Sequence, residues 1–321
     1  MRYEELSVGE LTVDVIKGGA SLPMFTKKFF IDPVNGSDGN TGKSISNAKK
    51  TLAEAWKLLT TNKNQALFWV PGASYIDLTA GFDWSKSFTH FIGLAGPGLY
   101  GGRCRLRDIA AISNPLFTIS GIGNIFKSIH WQRDYNSASG LQNVVVGTTP
   151  TNGSYNYFED CQFDSPTMSA LGAVAYKNLT LGAGARSLTF KRCTIGQWNQ
   201  LAAATDGVQI YGAGAPGNAG THFVDCLILW YTNQATMSPI NITDLEAPNA
   251  YVLFDNCRFL GVGTTVNGLC TTGTPSNGKI IFTNCSGMGF SEYDASANAR
   301  IFVCNSFTGD DAAGIGVAVS S

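Results

Sequence analysis

The sequence predicts an all-β chain wound as a parallel β-helix, and three regularities predict it. A phenylalanine is followed three residues later by a cysteine at Phe158/Cys161, Phe190/Cys193, Phe223/Cys226, Phe254/Cys257 and Phe282/Cys285. From Phe91 through Phe126 to Phe302 these phenylalanines recur at spacings of 20 to 35 residues, which is the self-similarity of stacked units rather than of one packed core. Each copy also alternates apolar and polar residues, as in Tyr251-Val-Leu-Phe254 and Lys279-Ile-Ile-Phe282, the mark of a short strand.

The unit can be read residue by residue. Asn or Asp precedes the cysteine in four of the five copies (Asp160, Asp225, Asn256, Asn284), with Arg192 the exception. Asn and Asp tolerate left-handed backbone, so this position predicts a tight bend. Two residues beyond the cysteine a second apolar residue returns, at Phe163, Ile195, Ile228 and Phe259. The remainder of each period is rich in Gly, Ser, Thr and Asn and varies in length. A leucine-rich repeat would need a dense leucine consensus and a helical array a 3.6-residue period; the chain has neither. Stacking would set equivalent residues about 4.8 Å apart, giving an interior column of Phe91, Phe126, Phe158, Phe190, Phe223, Phe254 and Phe282 beside the cysteines. Leu94 and Ile129 are expected in the cysteine slot of the first two copies, and Phe302 with Asn305 forms a worn last copy. Each buried phenylalanine contributes about 1.5–3 kcal/mol, so a chain only 14% charged can be held together without ion pairs.

In chain order, residues 1–28 stand outside the repeat as an extended N-terminal arm. Its Leu11, Val13, Val15 and Ile16 alternate like a strand, and the arm is expected to anchor to a neighbouring subunit by strand addition. Residues 29–64 are expected to form a capping strand, loop and helix, with Thr51 and Glu54 as a capping box and Leu52, Ala55, Trp56 and Leu59 on one apolar face. Residues 65–309 are the solenoid. Long loops over 135–151, 197–220 and 231–249 are expected on its working side or against a neighbour. Residues 310–321 alternate as a sticky edge strand that either caps the last coil or crosses to another subunit.

Composition excludes several classes of function. Net charge is −1 and no basic block occurs, which argues against nucleic acid and anionic membrane as partners. No apolar run reaches the ~18 residues of a membrane span, and the first residues lack a secretory apolar core. The eight cysteines include no C-x-x-C pair, so they are expected as small buried hydrophobes, with no metal and no cofactor. Ser37-Asp-Gly-Asn-Thr-Gly-Lys-Ser44 approaches a phosphate-binding loop but lacks its first glycine. Asp32, Asn35, Ser37 and Asp38 depart from the calcium-loop register and read as a solvated turn.

Few residues suggest catalysis. The acids beside the cysteines (Asp160, Asp225, Asp255) are explained by the bend, which leaves Glu159 and Asp164, with Asp206, as the set to consider for an enzyme. His90, His130 and His222 read as solvated, and Arg103, Arg105 and Arg107 as one exposed strand face.

The stretch D-P-x-x-G-x-D-x-x-x-G-x-S at Asp32–Ser44, followed by T-L-x-x-A at Thr51–Ala55, resembles the opening of right-handed single-stranded parallel β-helix proteins of the pectate-lyase-like superfamily. There a short helix plugs the end of the solenoid. That superfamily holds lyases, hydrolases, tailspikes and inert virion parts. Motif and arm together resemble bacteriophage structural proteins, most of all a capsid decoration or head-fibre protein. The resemblance implies a non-enzymatic virion protein made in the host cytoplasm, a homotrimer, with the major capsid protein or another virion subunit as partner. Its alternative is a tailspike or receptor-binding protein that binds or depolymerises host surface glycan.

Overall fold

The structure, a computed structural model, describes residues 25–72, 75–95, 104–109, 112, 115–133, 141–164, 176–196, 207–212, 220–242, 250–272, 278–294, 300–309 and 316–318. These residues form a parallel β-helix of three sheets, two of ten strands and one of eight. The first sheet runs from Lys27–Ile31 through Gln65–Trp69, Thr89–Gly93 and the phenylalanine strands to Ile301–Cys304. From the Phe126 strand onward a two-residue bend leads to the third sheet, which begins at Ile76–Leu78. The second sheet, Phe82–Asp83 to Phe290–Asp294, closes the coil.

Register carries the fold. Phe91 pairs with Phe126, Phe126 with Phe158, Phe158 with Phe190, and so on through Phe223 and Phe254 to Phe282. Like therefore stacks on like. Ring centroids from Phe126 to Phe282 lie 4.5–5.2 Å apart and within 11° of parallel, and all seven rings are fully buried. Cys161, Cys193, Cys226, Cys257 and Cys285 form the adjoining column, each Sγ donating to the carbonyl of the phenylalanine one coil back at 3.4–3.7 Å. Phe163, Ile195, Ile228 and Phe259 complete the buried set.

From the Phe126 coil onward the bend is left-handed. Ser128, Asp160, Arg192, Asp225, Asn256, Asn284 and Asn305 all have φ of 49–55°. Short polar side chains suit that conformation, and several bond along the column: Asn256 Nδ2 donates to Asp225 Oδ1 at 2.6 Å, and Asn305 Nδ2 to Asn284 Oδ1 at 2.7 Å.

Several placements differ from the sequence reading. The segments expected as long loops over 135–151, 197–220 and 231–249 contain the second-sheet strands Leu141–Val146, Val208–Gly212 and Ile240–Ile242. Leu94 is exposed, and the cysteine slot of its coil belongs to Cys104, which precedes the strand Arg105–Asp108 and is fully buried. An insertion between strand and bend hides that spacing. In the last coil Val303, not Phe302, pairs with Phe282. Phe302 faces out, and Ser306 takes the cysteine slot, its Oγ accepting from Cys285 N at 2.9 Å. The histidines are also less open than expected: His90 and His130 are buried, and His222 is half-buried with its Nε2 2.9 Å from the Tyr251 hydroxyl.

At the N-terminal end the helix Leu52–Lys57 buries Leu52 and Ala55 in the core, Leu59 just beyond it does the same, and Thr51 Oγ1 accepts from Glu54 N. Asp32 Oδ1 accepts from Val34 N and Asn35 N, and Asp38 Oδ1 from Lys50 N and Thr51 N. Both acids thus shape the loop, and Asp32 is buried rather than solvated. The first strand begins at Lys27, within the segment read as the arm; Leu11, Val13, Val15 and Ile16 lie outside the described residues. At the other end Gly316–Ala318 pairs antiparallel with Phe307–Gly309 of the same chain.

Phe190→Ala should destabilise by about 3–5 kcal/mol, read by chemical denaturation. His90 supplies a pH test. Its Nε2 lies 2.7 Å from Asn64 Oδ1 and its Nδ1 accepts from Ile125 N, while burial lowers its pKa from 6.5 to about 4. Between those values the unfolded chain binds the proton and the folded chain does not. Stability contributed by the neutral ring is therefore complete above pH 6.5 and lost as pH falls towards 4, by up to about 3 kcal/mol. His90→Gln should flatten that part of the stability–pH curve.

Candidate functional site

Strand alternation decides what reaches the outside of the third sheet. In Arg105–Asp108 the inward residue is Leu106, in His130–Gln132 it is Trp131, and in Gln162–Asp164 it is Phe163, all fully buried. The flanking residues therefore point away from the interior. Register then makes two rows: Arg105, His130, Gln162 and Thr194 in one, and Asp77, Arg107, Gln132 and Asp164 in the other. Successive members stand about 4.8 Å apart.

This polar face is open at one end and closed at the other. Asp77 is exposed, and Arg105 and Arg107 are half-buried. Arg107 Nε donates to Asp77 Oδ1 at 2.7 Å, and both guanidinium groups lie over the Tyr75 ring, at 5.1 Å for Arg105 and 4.3 Å for Arg107. Tyr75, Asp77 and Phe82 also line a cleft of about 580 Å³ against Lys50–Ala53 of the cap. Further along, His130, Gln132, Gln162 and Asp164 are all buried although they point outward.

The hydrogen bonds set the protonation pattern. Arg105 Nε donates to His130 Nδ1 at 3.2 Å. Arginine has no acceptor, so Nδ1 takes that bond and the imidazole proton sits on Nε2. That Nε2 faces Asp164 Oδ2 at 3.1 Å, and Gln162 Nε2 reaches the same oxygen at 3.4 Å. Asn143 Nδ2 ties down the Asp164 carbonyl at 2.8 Å. Asp164 Oδ1 and Gln162 Oε1, both buried, accept no hydrogen bond. Leaving such an acceptor unsatisfied costs about 1–3 kcal/mol, which stability alone does not explain. A carboxylate held through one oxygen, with the other free, is suited to take a proton or attack an electrophile.

Of the acids singled out from sequence, the structure separates Glu159 from Asp164. Glu159 lies on the first sheet, across the bend, where Lys127 Nζ reaches its Oε2 at 2.7 Å and Arg192 Nη2 its Oε1 at 2.5 Å. Burial raises its pKa, but these two cations outweigh it and leave the carboxyl below the usual value, the wrong direction for a general acid. Asp206 and Arg103 lie outside the described residues. Asp77 stands three coil steps from Asp164, about 14 Å, beyond the ~5–9.5 Å needed for two-carboxylate glycoside hydrolysis. Among the described residues no group of three or more His, Cys, Asp or Glu is gathered as for a metal ion.

Sequence reading missed Tyr75, Asp77, Gln132 and Gln162, and it treated Arg105, His130 and Asp164 separately. The signal was present four and six residues beyond the ladder phenylalanines: His130 and Gln132 after Phe126, Gln162 and Asp164 after Phe158.

Fold and site together define a right-handed parallel β-helix with a polar outer face on its third sheet. No protein-family description matches the chain, and no curated protein sequence matches it. Solved structures do. The pectin methylesterase of Aspergillus niger is similar over 92% of this chain and 91% of its own, with TM-score 0.58 and 13% identity. That of Erwinia chrysanthemi covers 92% of each chain, with TM-score 0.54 and 14% identity. Pectate lyase Pel9A matches 89% of this chain and 77% of its own, with TM-score 0.56 and 14% identity. At such identities the likeness is one of fold. It corrects the expectation of a chain without enzymatic activity, because these neighbours are carbohydrate esterases and a lyase.

Glu159→Gln should leave any activity at Asp164 unchanged and lower stability by about 1–2 kcal/mol. The figure is modest because Arg192 is 43% exposed and solvent screens its share. Thermal denaturation beside the activity assay checks both.

Proposed function

We propose that this protein binds and chemically processes an acidic, uronate-bearing polysaccharide along the outer face of its third sheet. The observation that carries this reading is the buried, outward-pointing Asp164 with one oxygen held by His130 and the other free. Arg105 and Arg107 supply positive charge at the open end, beside the face of Tyr75, and guanidinium groups favour carboxylate partners. The extended, unbranched face suits a chain-like substrate, and the structural neighbours bear the names of pectin-directed enzymes.

In this reading Asp164 takes the proton beside the uronate carboxyl as the glycosidic C–O bond breaks and a double bond forms, or it attacks the methyl ester, expelling methanol and leaving an acyl-enzyme that water releases. His130 Nε2–H positions it, and Gln132 and Gln162 hold the substrate. One carboxylate with flanking cations fits elimination or de-esterification better than hydrolysis by paired acids. The setting proposed with it is that of a tailspike, a homotrimer carried on a bacteriophage virion. This rests on the resemblance of the Asp32–Ser44 motif, and light scattering of the purified chain checks the oligomer.

Purified protein should release unsaturated uronate or methanol from at least one of polygalacturonate, methylated pectin or an acidic capsular polymer. Asp164→Asn should lower turnover at least about 100-fold with its melting temperature nearly unchanged, and His130→Ala should lower it less. Full activity in Asp164→Asn, or no product from the wild type on any of the three, would sink the reading.

A further inference from the structure

Six successive coils carry a second left-handed position, three residues before the ladder residue of the first sheet. The column runs Asn64, Phe88, Gly123, Tyr155, Ser187, Gly220, with φ between 49° and 69°. Backbone bonds tie it together: Phe88 N donates to Ile122 O, Gly123 N to Ser154 O, and Tyr155 N to Arg186 O at 2.8–3.0 Å. Glycine, asparagine and serine suit this conformation; bulky aromatic residues are true outliers there.

The two misfits are also the aromatic side chains that face solvent on this corner. Phe88 is 48% exposed and Tyr155 66%. They stand two coil steps apart, about 9.6 Å, and the Phe88 ring lies across the intervening Gly123, where an added Cβ would meet it at 2.6 Å. The left-handed turn at Tyr155 is imposed by its neighbours, since buried Asn156 Nδ2 donates to the carbonyls of Gly121 and Gly153 at 3.0 and 2.9 Å. The corner would therefore form without the tyrosine ring. Strain kept at these two exposed rings, of which Phe88 covers Gly123 while Tyr155 stays mostly in solvent, points to a role outside folding. Arg186, whose backbone carbonyl accepts from Tyr155 N, adds a cation to this corner; its Nη2 donates to Pro150 O at 2.9 Å, while its buried Nε has no hydrogen-bond partner.

We propose that Phe88 and Tyr155 are stacking platforms for an acidic polysaccharide, with Arg186 recognising its carboxylates. This corner leads into the first sheet and is distinct from the Asp164 face. Aromatic rings offer flat apolar surface to the C–H faces of pyranose rings. Their spacing of two coils fits alternate sugars of an extended chain, and the guanidinium supplies the charge complementarity that selects uronate. The proposal rests on the reading of the protein as polysaccharide-processing and adds a site that holds the polymer without touching the reacting bond.

The test uses glycine, which removes each ring and relaxes its backbone. Tyr155→Gly and the double variant Phe88→Gly/Tyr155→Gly are compared with wild type in affinity electrophoresis through polygalacturonate and through neutral amylose. Turnover of polymer and of a short oligogalacturonide is measured in parallel. The expected result is that Tyr155→Gly melts no lower than wild type, and that the double variant loses at least tenfold in polygalacturonate affinity. Turnover of the short oligosaccharide stays unchanged, and Arg186→Gln weakens binding to polygalacturonate alone. Unchanged polymer retention in the double variant overturns the platform while leaving the Asp164 reading intact. A large fall in the melting temperature of Tyr155→Gly overturns it as well, by showing the ring to be structural. A wild type that neither binds nor processes the acidic polymer removes both.

Discussion

Everything in this molecule depends on in-register stacking of like on like. A single coil contributes a few short strands and has no core of its own; its phenylalanine is buried only because the coils above and below supply the same ring at the same place. The near-parallel rings and the thiols that donate to the previous coil's carbonyl make each coil a template for the next. The tolerance is narrow. Gly123 sits directly beneath the Phe88 ring, and Gly196 lies so close to Leu229 O that a Cβ would meet it at 2.0 Å.

That constraint separates structural from functional residues. Most inward positions are apolar and repeated, with the buried Asp108–Arg133 pair an exception. The bend positions are left-handed and polar, and they bond along the column. What remains is the outer face, where neither packing nor bend geometry dictates the residue. There the third sheet gathers two arginines, a histidine, two glutamines and an aspartate across three coils. Its histidine, glutamines and aspartate are both polar and buried, and Asp164 Oδ1 and Gln162 Oε1 are left without a donor. A self-templating scaffold can carry such a group because its stability lies in the interior columns.

The non-enzymatic expectation rested on the resemblance to virion proteins and on the lack of a catalytic cluster among acids near one another in the sequence. Glu159 and Asp164 are five residues apart, yet a left-handed residue at Asp160 sends them to different faces. Asp164 meets His130, 34 residues away, through strand register. Proximity along the chain was a misleading guide, and proximity along the repeat would have served better. The same cause explains two smaller errors. The insertion before Cys104 broke the three-residue spacing, so Leu94 was assigned the slot. The shortened last period shifted Phe302 one place out of the column, which Val303 fills.

The amino-acid sequence by itself determined the architecture, because a repeat that buries the same residue types at each turn leaves one economical way to stack. The phenylalanine and cysteine columns, the polar bend and the capping helix were all legible in it, down to residue numbers. The tertiary structure alone decided the site. Outer-face residues carry no periodic apolar signal, and their partners are chosen by strand register across coils of unequal length, a quantity that no local stretch of sequence contains. It also revealed the second left-handed column, since Phe88 and Tyr155 look like ordinary apolar residues until the backbone shows the conformation they are made to adopt.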